Sequence, residues 1–140
     1  MGGIKRTPAD VAFSQCIRER ADWTCERCGA KHPKNSQGLH CSHHHSRGKW
    51  GIRFDPLNAE ALCYGCHSLE GGTEQRRRDV LTDAEQDILF EKMNDTGLGK
   101  DARKTKGKGD IAKHYRNEFK RMSELRSKGV LGRIEFVGYF

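Results

Sequence analysis

Two cysteine pairs carry the clearest chemistry in this chain. Cys25-Glu-Arg-Cys28 and Cys63-Tyr-Gly-Cys66 are both Cys-x-x-Cys knuckles, and 35 residues separate Cys28 from Cys63. Two residues between thiolates let one tight turn present both sulfurs to a single tetrahedral ion. Gly29 and Gly65 supply the permissive backbone such turns need. Four thiolates leave no open coordination position, so Cys25, Cys28, Cys63 and Cys66 are expected to hold a structural Zn2+. An iron–sulfur cluster or a redox dithiol are the alternatives; a redox dithiol normally comes with a βαβ pattern, which is absent. Cys16 and Cys41 are read as small buried apolar residues.

Histidines form the second group. His40, His43, His44 and His45 fall within six residues between the knuckles, and His67 directly follows Cys66. A zinc clip joining 25–28 to 63–66 would fix His67 against the segment that carries the others. Adjacent strand residues face opposite ways. His43 and His44 can therefore do different jobs, one turned to a metal and the other to a water.

The elements that must position these groups can be read from the chain. Thr7-Pro8-Ala9-Asp10 has the signature of a helix start, with a capping Thr, Pro at the first position and an acid near the positive end of the dipole. The helix should end near Trp23. Leu39–His44 reads as a strand and Asn58–Leu62 as its return. A short helix is predicted around Cys66, broken by Gly71-Gly72. Thr82-Asp83-Ala84-Glu85 is a capping box for a helix reaching about Asn94. Residues 97–109 hold four glycines and four lysines and predict a flexible basic linker. A last helix should start at Asp110, with Ile111, Tyr115, Phe119, Met122 and Leu125 on one face. Residues 130–137 have strand-like composition. This gives a site-bearing domain over 1–96, the linker, and a basic C-terminal helix and tail over 110–140.

Composition agrees with a metal-stapled domain. Of 140 residues only 34% are apolar and 32% are charged, a thin core for its size. No run approaches the ~20 apolar residues of a membrane span. The basic N-terminus leads into no apolar segment of the secretory kind, so a cytoplasmic protein is expected. The net charge of +7 is uneven: residues 1–100 hold 15 basic and 14 acidic groups, residues 101–140 hold 11 and 5. A basic tail on a near-neutral body suits a polyanion such as nucleic acid.

The stretch CSHHHSRGKWGIRFDPLNAEALCYGCH, Cys41 to His67, resembles the HNH endonucleases, or ββα-metal nucleases. The spacing is a His pair, then Asn58 14 residues after His44, then His67 nine residues further. The flanking knuckles match the zinc-bearing branch. FSQCIRERADWTCERCG resembles the lead-in of small phage and prophage nicking enzymes of that family. The likeness covers about residues 10–70. It implies an α+β fold, a small zinc-stabilised ββα-metal core with flanking helices, acting as a metal-dependent endonuclease that nicks or cleaves double-stranded DNA to leave 5′-phosphate and 3′-hydroxyl ends. It implies His44 as general base, and His43 and His67 as ligands of one catalytic Mg2+, Mn2+ or other divalent cation. Asn58 would brace the loop that aims the base. A third ligand, where present, would be Glu70 or water. His45 leaves a one-residue shift of roles open, and His40 is read as non-catalytic.

Arg47, Lys49 and Arg53, between the two strands, are candidate phosphate contacts. Trp50 is read as packing under that loop or stacking on a base. The resemblance also implies a bacterial host cytoplasm and work beside a terminase or another phage protein, docked through the C-terminal helix. Two other readings are a non-catalytic zinc DNA-binding module and an RNA-directed or recombination-associated member of the fold.

Overall fold

The computed structural model describes residues 5–106 and 109–140. It is a mixed helix-and-sheet fold: α1 (Pro8–Arg20), β1 (Leu39–His43), a 3-10 turn (Pro56–Asn58), β2 (Ala59–Cys63), α2 (Tyr64–Glu70), α3 (Glu74–Val80), α4 (Asp83–Met93), α5 (Thr96–Lys106) and α6 (Asp110–Ser127). The start of α1 forms as its sequence requires. Thr7 accepts from the Asp10 amide at 3.3 Å, and the Asp10 carboxylate accepts from the Thr7 amide at 2.7 Å. Arg20 ends the helix.

β1 and β2 form an antiparallel pair in which Leu39 faces Cys63 and His43 faces Ala59. The hairpin therefore runs straight from the histidine strand into the second knuckle and then α2. One face of β1, through Leu39, Cys41 and His43, turns to α1. Phe13 of α1 meets the His43 ring at 5.9 Å. Phe13 is also in edge contact with Phe54, Tyr115 and Phe136, which makes it the centre of the core.

The structure corrects two expectations. The flexible linker over 97–109 is instead largely α5. Asp95 caps it, its carboxylate accepting from the Leu98 amide at 3.0 Å, and Ala102 is fully buried. The neighbouring Gly51 is there for close packing: a Cβ on it would lie 2.4 Å from the Lys92 carbonyl oxygen. Two residues of the expected linker, Gly107 and Lys108, lie outside the described residues. The apolar face of α6, which could take the body of its own chain, a second copy or another protein, takes the first. Ile111, Tyr115 and Met122 are fully buried, and α6 makes its main contact with α1. Its apolar face is thereby occupied within the chain, leaving only the basic outer face for another molecule. Its N-cap is Gly109, with Asp110 in the first turn. The other correction is that residues 130–137 form no strand. They lie against α1 as irregular chain, with the Ile134 amide donating to the Arg20 carbonyl at 3.2 Å.

Arg76-Arg77-Arg78 lies on α3. Buried Arg76 grips Glu60 with two bonds of 2.8 and 2.7 Å, Arg77 donates to the His44 and Gly72 carbonyls, and exposed Arg78 pairs with Glu74. None of the described helices is long and apolar enough to cross a membrane.

Candidate metal centre and histidine cleft

The four knuckle cysteines converge. Their sulfurs all lie within 4.8 Å of one another, and Cys28 Sγ is 3.8 Å from Cys63 Sγ. A tetrahedral ion with Zn–S bonds of about 2.3 Å places its sulfurs about 3.8 Å apart, so the donor set fits zinc. The local chain supports thiolates. Burial pushes the Cys25 thiol up, but amide hydrogen bonds from Cys28, Cys63 and Arg27 pull it down to about 6. Arg27 donates to Cys66 Sγ at 3.4 Å and to Glu70 at 2.7 Å, tying the first knuckle to the second and to α2. With its carboxylate held by Arg27, which also donates to Cys66, Glu70 is tied to the four-cysteine cluster rather than to the histidines. Cys16 and Cys41 lie apart from this cluster, and burial pushes both thiols up to about 12.

The histidines fall into two pockets. His40, His43 and His67 line an open cleft of about 920 Å³, with Asp10, Arg6 and Arg47 among its walls. His44 does not join them. Its ring is buried in a smaller pocket with Arg20, Glu60 and Arg76, and its peptide is pinned by bonds to Asn58 and Arg77. Burial first, then the nearby guanidinium groups of Arg76 and Arg77, push the His44 imidazole down to about 4. Of the histidines expected to act together, the structure brings His43 and His67 to one cleft and places His44 in another pocket. α1 draws His43 to one side, while α3 encloses His44 on the other.

Within the cleft the rings are held individually. His43 Nε2 lies 3.2 Å from the Arg53 carbonyl oxygen. A carbonyl only accepts, so Nε2 carries the proton and Nδ1 keeps the free lone pair. Burial pushes this imidazole down to about 4, so it is neutral at pH 7. His67 Nδ1 lies 3.0 Å from His40 Nδ1, a pairing that sequence reasoning passed over by setting His40 aside. The available signal was the knuckle itself, which lands His67 across the hairpin from the start of β1. Among the described residues, the four cysteines are the only cluster of three or more potential metal donors.

Asn58 is fully buried and closes the loop between the strands. Its Oδ1 accepts from the His45 amide at 2.9 Å, and its Nδ2 donates to the carbonyls of His45 and Ile52 at 3.1 and 3.2 Å. Asn58→Ala would strand these buried groups and is expected to cost about 2–3 kcal/mol, read by chemical denaturation. An unchanged midpoint would contradict the bracing role.

The candidate phosphate contacts also separate. Lys49 is exposed and Arg47 lines the cleft. Arg53, in contrast, is fully buried. It binds Asp10 through contacts of 3.0 and 2.6 Å, donates to the Lys5 and Arg47 carbonyls, and stacks over Trp50 at 4.1 Å. It cannot reach a phosphate and is withdrawn from that role. Trp50 packs between Arg53 and Arg103 under the loop.

No protein-family model, curated protein or solved structure matches this chain.

Proposed function

We propose that this chain is a metal-dependent phosphodiesterase of the HNH kind, acting on DNA in the histidine cleft. The observation that carries the reading is the cleft itself. A neutral, oriented imidazole (His43) and a second histidine (His67), set one residue beyond a zinc knuckle, share one basic-rimmed groove. The order hairpin, knuckle, helix and the buried Asn58 support the same reading.

In this account the base is His43 rather than His44. Nδ1 of His43 takes a proton from water as its oxygen attacks phosphorus. The P–O3′ bond breaks, and the departing oxygen is protonated by solvent. The Arg53 carbonyl keeps the ring in the correct tautomer. A divalent ion at His67 would polarise the phosphate and offset charge on the leaving oxygen. Arg47 and Lys49 would hold flanking phosphates, which positions a duplex without reading its sequence.

The test is relaxation of supercoiled plasmid by zinc-loaded protein with added Mn2+ or Mg2+. Nicking that depends on the added ion, with DNA affinity falling steeply as salt rises, is expected. Arg47→Ala and Lys49→Ala should each lower the salt slope by about 1. Tight DNA binding with no nicking under any divalent ion would favour the non-catalytic zinc DNA-binding module. Work in phage DNA processing beside a terminase is part of the same proposal and would use the basic outer face of α6.

A further inference from the structure

We infer that His40 and His67, through their Nδ1 atoms, are paired ligands of a first-row transition-metal ion, distinct from the four-cysteine centre. This deepens the nuclease reading by naming the ligand partner and the metal class.

The two Nδ1 atoms are 3.0 Å apart. Imidazole nitrogens bind such ions at about 2.0–2.1 Å, and ligand angles between 90° and 109° then put adjacent nitrogens about 3.0–3.4 Å apart. The two rings stand at 78° with centroids 5.2 Å apart, so they meet at their nitrogen edges rather than by stacking.

Each ring is held by its own part of the fold. The zinc knuckle fixes the first turn of α2, and His67 is its fourth residue. Gly71 closes over it: a Cβ there would lie 2.2 Å from His67 Cδ2 and 2.6 Å from the His67 carbonyl oxygen. That position must lack a side chain for the ring to sit where it does. His40 is opposite Leu62 in the hairpin, with the edge of Tyr64 5.9 Å away.

Both rings are half-buried and line the open cleft, so further coordination positions face water and phosphate oxygens. Glu70 is not a competitor for them, because Arg27 holds its carboxylate at 2.7 Å. His43 is not a third ligand either: among the described residues, no further donor joins the His40 and His67 nitrogens in a cluster of three. Two imidazole ligands with open positions beside them suit Mn2+, Co2+, Ni2+ or Zn2+. Mg2+ and Ca2+ prefer all-oxygen shells.

The experiment is calorimetric titration of zinc-loaded full-length protein with Ni2+ and, separately, Mg2+, with zinc content measured before and after. One Ni2+ per chain beyond the retained zinc is expected, with Mg2+ binding at least tenfold weaker. His40→Gln and His67→Gln should each weaken Ni2+ binding at least tenfold, while His43→Gln leaves it unchanged. Gly71→Ala should weaken it as well, with zinc retained. Ni2+ binding that survives His40→Gln, or no second ion in the wild type, overturns the site. Because binding is read without DNA, the two proposals fail separately. Ni2+ bound as described without any nicking removes the nuclease reading and leaves this site standing. Nicking that persists with wild-type Ni2+ affinity in His40→Gln does the reverse.

Discussion

Cys63→Ser is expected to release the structural ion and unfold the hairpin together with α2. Cys63 is the last residue of β2 and the N-cap of α2, so an ion held by the four sulfurs would be tied to strand and helix through one residue. The chain is only 34% apolar, and its sheet has two strands, too few to stand alone. Structural zinc contributes on the order of 10–16 kcal/mol of apparent binding free energy in small domains. Circular dichroism should show loss of the cooperative transition in Cys63→Ser, and chelation of the wild type should reproduce it. A melting temperature within a few degrees of wild type would contradict the structural role. Cys41→Ser, outside the cluster, should keep zinc and is the control.

Asp10→Ala is expected to destabilise the protein by about 3–5 kcal/mol, because it leaves the Arg53 guanidinium buried without its counter-ion. The same change loosens the loop whose carbonyl orients His43, so cleavage should fall beyond what unfolding explains at permissive temperature. The pH dependence follows from the Asp10 carboxyl. Burial pushes it up, but hydrogen bonds from Arg53 and Thr7 and the Arg53 charge outweigh burial and leave it below its usual value. A depressed carboxylate contributes stability that is fully present above the unfolded value of about 3.9 and is lost as pH falls through the folded one. The stability gap between wild type and Asp10→Ala, measured by denaturant titration, should be constant near neutrality and narrow below about pH 4. A gap independent of pH down to 2 would contradict the ion pair.

Much of this arrangement is legible before any coordinates. Thr7-Pro8-Ala9-Asp10 announces α1, the knuckle spacing announces the thiolate cluster, and the segments Leu39–His44 and Asn58–Leu62 are recognisable as a strand and its return. What escapes the sequence is long-range pairing. Arg53 looks like loop charge until Asp10, 43 residues earlier, is seen to bind it. The glycines of 97–109 look like a linker because composition does not reveal that Asp95 caps a helix and Ala102 packs beneath it. Which histidine faces the cleft is decided by α1 and α3. Motif spacing counts residues along the chain and carries no information about that choice, so it favours His44 where packing favours His43.

The direct measurement compares plasmid nicking by zinc-loaded wild type, His43→Ala and His44→Ala under one divalent ion, at a temperature where all three are folded. His43→Ala should lose about 10²–10⁴-fold in rate, the usual worth of a positioned base. His44→Ala should stay within a few-fold of wild type. Full activity in His43→Ala, or its loss only in His44→Ala, would contradict a reaction run from the α1 side of the strand.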